Sequence, residues 1–454
     1  MAKYFGTDGF RGEAGLTLTS RHAYLIGRFL GWYYSENGTR KVRIVIGKDT
    51  RRSSYMFEYS IVAGLTASGA DAYMLHVTTT PSVSYVTASE GFDCGIMISA
   101  SHNPYSDNGI KLVNARGEKM EDDTLDRIEA YLDGRFPLPD GQNDLPYASG
   151  ENVGCIVDYA AGRNRYIGYL ISLSLYSFKQ FRVGLDCANG SAWMIAKSVF
   201  DALGARTFVI GANPDGLNIN RGIGSTHIEA LCHFVQENHL DIGFAFDGDA
   251  DRCIAVDENG RVVNGDHIMY LLAADMKRHN ALTNNTVVTT VMSNLGLYRA
   301  LDEAGIDYVQ TTVGDKYVYE NMAETGNCIG GEQSGHIILS KYATTGDGIL
   351  TAIKVMETVV SSKQPLSKLA EPVKMYPQVL KNLRVADKSA VRNHPRVAER
   401  VREISKALGD GGRILLRESG TEPLIRIMVE AESDALCHRY AEDLAALIEE
   451  LGLL

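Results

Sequence analysis

The chain has 454 residues, 45% hydrophobic and 22% charged, the balance of a folded globular protein and not of a disordered, collagen-like or coiled-coil chain. Its 45 lysines and arginines against 56 aspartates and glutamates give a formal net charge of −11 without a basic tract. Non-specific binding to nucleic acid or an anionic membrane is therefore not expected, and an anionic ligand must be met by a few placed cations. No apolar run is long enough to cross a bilayer, and MAKYFGTDGFRG lacks a signal-peptide core; with seven scattered cysteines and no CxxC pair, a cytoplasmic protein with reduced thiols is expected.

In chain order, FGTDGFRG comes first, where Gly6, Gly9 and Gly12 surround Arg11. This backbone suits a wrap around an anion, and equally a plain entry turn. KVRIVIGKDTR (41–51) reads as a buried strand and loop, then a helix to Leu65 and Gly69, then the strand AYMLHV. FRVGLDCANG (181–190) repeats the pattern, with a helix through Leu203 and Gly204 before TFVIG. NTVVTTVMSNLG (285–296) is a third copy, with Leu301 and Gly305 before YVQTT. Each unit then reaches a short apolar run ending in an unusual loop: CGIMI meets SASHNP (99–104), IGFAF meets DGDAD (247–251), and CIGG meets GEQSGH (331–336). Alternating strands and helices predict parallel sheets with right-handed crossovers, whose strand carboxyl ends face the ligand crevice. Three odd loops at equivalent positions are thus expected to wall one site.

The stretch 134–152, with several Pro, Gly and Asn, is the expected linker between the first two units. After about residue 365 the pattern changes. A strand QVLKNLRV, a charged amphipathic helix near 390–408, the strands RILLR and LIRIMVE and a final helix from Asp434 form an α+β module. The expected domains are 1–150, 151–256, 257–368 and 369–454.

In DGDAD, Asp247, Asp249 and Asp251 alternate with small residues. On an extended segment these side chains share one side, and uncompensated carboxylates so close favour a divalent cation bound by oxygen: Mg²⁺, Mn²⁺ or Ca²⁺. An EF-hand fails because its sixth position needs glycine and this chain has Arg252. A solvated acidic turn is the plainer alternative, weakened by the apolar strand before it and by Arg252 after it. SASHNP places Ser101 beside His102; alone it is also an ordinary turn. Facing three carboxylates, a phosphorylated Ser101 would complete a metal shell, and Lys111 would neutralise phosphoryl charge or exchange a proton. RESGTEPLIR gathers Arg417, Ser419, Gly420, Thr421 and Arg426 into a phosphate clamp or a polar hairpin. GEQSGH carries Glu332, Ser334 and His336, suited to sugar hydroxyls or an amine, or to a structural Glu–His hydrogen bond. No P-loop or dinucleotide fingerprint occurs, so ATP and NAD lack sequence support.

Together and in this order, the four loops resemble those of the α-D-phosphohexomutase family over essentially the whole chain. The Gln at 333, TTVGDKYV (311–318) and TTGDG (344–348) resemble its glucosamine-phosphate branch. The resemblance implies three related mixed α/β domains plus a smaller C-terminal α+β domain around a central cleft. It implies an isomerase that interconverts glucosamine 6-phosphate and glucosamine 1-phosphate through a phosphoserine at Ser101 and a bisphosphorylated sugar, supplying UDP-N-acetylglucosamine and cell-wall precursor synthesis. Mannose or glucose phosphates are the alternative substrates within the family. One Mg²⁺ per chain is then implied at Asp247, Asp249, Asp251 and the Ser101 phosphate, with His102, Lys111 and Arg11 as catalytic groups. Arg252, Glu332, Ser334 and His336 would contact the sugar, and Arg417, Ser419, Gly420, Thr421 and Arg426 the distal phosphate. A hexose or glucosamine bisphosphate is implied as activator or intermediate. The expected partner is a small sugar phosphate, with no nucleic acid and no membrane, in a monomer or homodimer. One departure is Ala250, where the family's metal loop often carries glycine.

Overall fold

The computed structural model describes residues 3–36, 40–138, 142–418 and 423–454. The chain forms two compact units, Met1–Met292 with Ile306–Glu371, and Ser293–Gly305 with Pro372–Leu454.

Apolar runs without alternation build the three sheets of the first unit. In the strand Arg43–Lys48, Ile44, Val45 and Ile46 are wholly buried, as expected for a strand covered on both faces. It lies between the parallel strands Asp71–Val77 and Cys94–Ile98. The second sheet repeats this order with Arg182–Asp186 between Arg206–Ile210 and Ile242–Phe246, and the third with Thr286–Thr290 between Asp307–Thr311 and Ile329–Gly331. The glycines that mark the repeat, Gly69, Gly204 and Gly305, all have positive φ, 88°, 93° and 62°, and end a helix where a side chain would be strained.

The sheets are mixed, not parallel throughout. After each unusual loop the chain returns beside the strand it has just left: Asp107–Asn114 antiparallel to Cys94–Ile98, Cys253–Val256 to Ile242–Phe246, and Ile337–Leu339 to Ile329–Gly331. The loops are too short for a helical crossover, so the next strand can pair only antiparallel. Each loop is thereby held at both ends by sheet hydrogen bonds.

The first sheet also takes in Ile156–Asp158, parallel to Asp71–Val77, beyond the boundary expected at residue 150. At its other edge, Phe5–Gly6 and Gly9–Glu13 join the return strand. The carboxylate of Glu129, in the helix Asp122–Leu132, fixes this N-terminal segment by accepting from the amides of Lys3, Tyr4 and Phe5 at 2.8, 2.7 and 2.8 Å.

The second unit is a three-stranded antiparallel sheet, in the order Gln378–Arg384, Leu424–Glu430, Arg413–Glu418. Val397 and Ile404 of the helix Pro395–Leu408, and Cys437, Ala441, Leu444 and Ile448 of Asp434–Glu450, form its core with Ile425, Ile427 and Val429. The helix Leu295–Glu303 is grouped with this unit. Glu430 accepts from the Leu295 amide at 3.0 Å, and Asn294 Oδ1 accepts from Tyr376 N at 2.9 Å, binding that segment to the C-terminal sheet. Among the described residues no helix is long and apolar enough to cross a membrane.

The expected linker is tethered within the first unit. Arg28, wholly buried, donates to Ser68 Oγ at 2.5 Å, to Pro146 O at 3.2 Å and to Leu145 O, and stacks on Tyr147. Arg28→Ala would strand these acceptors and open a void, so a loss of about 3 kcal/mol in chemical denaturation is expected. A loss below about 1 kcal/mol would show that the tether contributes little.

Candidate active site

The three loops meet in the first unit. Ser101 Oγ donates to Asp247 Oδ2 at 2.5 Å across 146 residues of sequence, and Ser101, Asp247 and Asp249 are wholly buried. Oxygens of Asp247, Asp249 and Asp251 all lie within 4.8 Å of one another. They converge on a tight turn, not the extended segment expected: Ala250 N donates to Asp247 O at 3.1 Å and Ala250 has φ 56°. That left-handed conformation accounts for glycine at the equivalent family position, and alanine here carries about 1–2 kcal/mol of strain. The flanking segments are strands, as the rejection of an EF-hand required.

Nor are the carboxylates uncompensated. Lys111 Nζ reaches Asp249 at 2.8 Å, Asp8 at 3.1 Å and Asp251 at 3.4 Å. Burial would lower the Lys111 pKa, but these carboxylates hold it well above the ordinary value, so it is a fixed cation. Burial raises Asp251 too, yet Lys111 and His336 hold it well below the carboxylate range. Asp247 goes the other way: burial, then the charges of Asp251 and Asp249, push it well above. Asp249 Oδ1 and Asp251 Oδ1 are buried with no hydrogen-bond partner. Inward-facing carboxylate oxygens with open lone pairs fit a hard divalent cation.

His102 Nδ1 lies 3.4 Å from Ser101 Oγ. Burial, then the charges of Arg252 and Arg11, push the His102 pKa down to about 4, leaving a neutral ring. Arg11 pairs with Asp8 and donates to Ala100 O and Asn103 Oδ1 at 3.3 and 3.4 Å. Arg252 N donates to Asp247 Oδ1 at 3.2 Å. In the third loop, Glu332 accepts from Gly314 N at 3.2 Å, and Ser334 Oγ is buried without a hydrogen bond. The side chains of His336 and Glu332 do not pair as expected of a structural Glu–His bond; the two residues meet through backbone, with Glu332 N donating to His336 O at 3.0 Å. Gly346 N donates to His336 Nε2 at 3.0 Å, which needs a lone pair there and leaves the ring proton on Nδ1, 3.7 Å from Asp251 Oδ2. Burial alone would lower the His336 pKa, but the hydrogen bond to Asp251 and the charges of Asp315 and Asp251 push it up to about 9, so a second ring proton would be gained only by giving up the Gly346 bond. At 3% exposed, His336 is built into the wall.

In the second unit, Arg417 stands directly opposite Arg426 in the antiparallel ladder. Ser419, Gly420 and Thr421 lie outside the described residues.

Several site neighbours escaped sequence reasoning. Asp8 lies in the quoted FGTDGFRG, and its carboxylate is held well below the usual range, against burial, by Lys111, Arg11 and Lys119. Lys119 and Asp315 pair at 2.6 Å, and Asp315 lies 3.5 Å from His336 Nε2. Thr80, at the start of the helix Thr80–Ser89, donates through its hydroxyl to Asp249 Oδ2 at 2.5 Å and through its amide to Asp249 O at 3.0 Å. Charged residues following an apolar strand, as in IGKDTR, are a signal that could have marked Arg51; Asn220, in NPDGLNINRG, offers none.

Sequence models of the phosphoglucomutase/phosphomannomutase alpha/beta/alpha domains I, II and III match residues 2–136, 164–260 and 264–376, and that of the C-terminal domain matches 380–447. The chain is 63% identical over 453 residues to a phosphoglucosamine mutase of Lachnospira eligens, covering 100% of this chain and 99% of the relative. It is 45% identical to that of Bacillus subtilis, covering 100% of both. Among solved structures, a phosphoglucomutase/phosphomannomutase family protein from Burkholderia thailandensis superposes with a TM-score of 0.79 at 24% identity, covering 99% of this chain and 98% of the other. An N-acetylphosphoglucosamine mutase from Aspergillus fumigatus, in complex with GlcNAc-6P and magnesium, gives 0.65 at 18%, covering 99% and 96%.

The Asp247 environment sets a pH dependence. With its folded pKa above the unfolded one, the metal-free native state keeps a proton that the unfolded chain releases, so stability falls as pH rises above about 4. In chelator near neutral pH, Asp247→Asn is therefore expected to melt at or above the wild type. Excess divalent cation should raise the wild-type Tm and leave the variant's almost unchanged. A variant that melts well below wild type in chelator, or gains equally from the cation, contradicts this account.

Proposed function

The chain belongs to the phosphoglucomutase/phosphomannomutase family, and from that premise we propose that it interconverts glucosamine 6-phosphate and glucosamine 1-phosphate, with Ser101 as the phosphoryl carrier. The observation that carries the reading is Ser101 Oγ seated on Asp247 within the carboxylate cluster. Full-length relatives bearing the phosphoglucosamine mutase name favour the amino sugar over mannose or glucose phosphates.

In the forward half-reaction the bond between phosphorus and Ser101 Oγ breaks and a bond forms from phosphorus to the free hydroxyl oxygen of the sugar phosphate. That hydroxyl loses its proton, and the product is a bisphosphorylated sugar. In the return half-reaction Ser101 Oγ, protonated when its phosphate left, gives up that proton and bonds the other phosphorus as the bond from that phosphorus to the sugar oxygen breaks, and the freed sugar oxygen takes up a proton. His102 Nδ1, neutral and 3.4 Å from Oγ, is the group placed to handle these protons. Lys111, Arg11 and Arg252 supply fixed positive charge around the transferring group. Asp247, Asp249 and Asp251, with phosphorylated Ser101, would hold Mg²⁺, which supplies electrostatic stabilisation of the phosphoryl oxygens. Glu332 and Ser334 Oγ offer an acceptor and an open hydroxyl to the sugar, while His336 shapes the wall behind them. Arg417 and Arg426, side by side on adjacent strands, offer two guanidinium groups to a substrate phosphate, and Ser419, Gly420 and Thr421 of RESGTEP would add hydroxyls and an amide. A hexose or glucosamine bisphosphate would prime the serine. Seven cysteines without a disulfide suit a cytoplasmic enzyme.

Ser101→Ala is expected to cut turnover by more than about a thousandfold and to lose the phosphate-sized mass increment of the native protein; near-normal turnover would overturn the carrier assignment. Arg417→Ala should raise KM roughly tenfold or more, the worth of a charge-assisted hydrogen bond, and an unchanged KM would remove it from the phosphate site. Comparing kcat/KM for glucosamine, glucose and mannose phosphates decides the sugar, with the amino sugar expected to lead.

A further inference from the structure

Ser101 lies in the left-handed backbone region, with φ 53°, which a serine holds only when its surroundings enforce it. Two side chains from outside its loop converge on that backbone. Arg51, wholly buried, donates from Nη2 to Ser101 O at 3.1 Å and to Asn103 O at 2.7 Å. Asn220, 5% exposed, donates from Nδ2 to the same two carbonyls at 2.8 and 3.1 Å. Both atoms facing the amide are carbonyl oxygens, so only its nitrogen can be turned toward them. The two carbonyls bracket His102, so the segment from Ser101 to Asn103 hangs from four hydrogen bonds.

The clamp is itself braced. Asp49 pairs with the Arg51 guanidinium and accepts from Arg51 N at 2.9 Å, Ser54 Oγ at 2.7 Å and Ser99 Oγ at 2.7 Å. Ser99 Oγ in turn accepts from Ser101 N at 3.0 Å. Asn220 has φ 58°, and its amide donates to Ala188 O at 2.9 Å, in the loop after the strand Arg182–Asp186. Across from both donors, Gly248 admits the Ser101 carbonyl; a Cβ there would stand 2.5 Å from Ser101 O. Arg51 follows a strand of the first sheet, and Asn220 is fixed by a loop of the second, so the serine is positioned from both sides.

We propose that Arg51 and Asn220 are positioning residues for phosphoryl transfer, fixing the carbonyls of Ser101 and Asn103 so that Oγ keeps its aim at the carboxylate cluster with and without its phosphate. This rests on Ser101 being the phosphoryl carrier. A carrier that gives its group away and takes one back must return to the same geometry in each half-reaction, and a strained backbone held from two sides has no other low-energy place to settle.

The test is Asn220→Ala in the full-length enzyme. A kcat lower by about tenfold or more with the sugar-phosphate KM within about twofold is expected, since the clamp acts on the reacting serine and not on sugar binding. Faster amide hydrogen exchange in the peptide 99–104 should accompany it. Asn220→Asp, equal in size but presenting an acceptor to two carbonyls, should be slower still, and Arg51→Lys, which keeps the charge but loses the fork, should show the same kcat loss. A kcat within about twofold of wild type in Asn220→Ala, or unchanged exchange in 99–104, overturns the proposal. If Asn220→Ala fails to fold, Arg51→Lys and Asn220→Asp carry the same two readouts. Should the wild type itself not turn over glucosamine phosphates, the functional reading falls, and amide exchange still decides the clamp.

Discussion

A serine hydroxyl and an aspartate carboxylate from different sheets meet at 2.5 Å in a place that excludes water, and around them four carboxylates, Asp8, Asp247, Asp249 and Asp251, are interleaved with Lys111, Arg11 and Arg252. Charges so buried are tolerable only as a balanced set, because each one stripped of its partner costs several kcal/mol, roughly 3–5 for a broken buried pair. The balance ties distant stretches together: the N-terminal turn, the return strand carrying Lys111, the loop of Asp247, Asp249 and Asp251, and the third loop through His336. A phosphoryl group with its cation adds charge of both signs and can enter such a set without overturning it.

The repeated sheet order provides the scaffold. In all three sheets of the first unit an inner strand runs into a functional loop and the chain turns straight back beside it. A loop pinned at both stems has little freedom except in its few central residues, where Ser101 and Ala250 take left-handed conformations. Precision at the site comes from strands, and variety from the handful of residues between them.

Much of this was legible in the sequence because it rests on local pattern. Unbroken apolar runs gave the inner strands, helix-ending glycines gave the repeat, and the composition of SASHNP, DGDAD and GEQSGH singled out the loops. Two expectations needed correction for identifiable reasons. The strand alternation suggested parallel sheets, which the inner strands form, but loops of a few residues cannot carry a crossover, so the strands after them run antiparallel. The alternation of aspartates suggested an extended segment, whereas a turn at Ala250 brings the carboxylates together. What could not be read were contacts between stretches far apart in sequence: Lys111 among the carboxylates, Asp8 on Lys111, and Asn220 on the Ser101 carbonyl, 119 residues away. An asparagine in a glycine-rich loop carries no periodicity and no charge, and its partner is a backbone atom that every residue has.

Glu129 gathers the amides of three consecutive residues, Lys3, Tyr4 and Phe5, onto one carboxylate, and the segment they lead into carries Asp8 and Arg11 to Lys111 and the carboxylate cluster beside Ser101. An affinity handle or fluorescent fusion joined ahead of Lys3 therefore loads a mooring whose far end is the charged cluster beside Ser101. The opposite terminus, which leaves the helix Asp434–Glu450 with Leu454 half exposed, offers an attachment point free of that linkage.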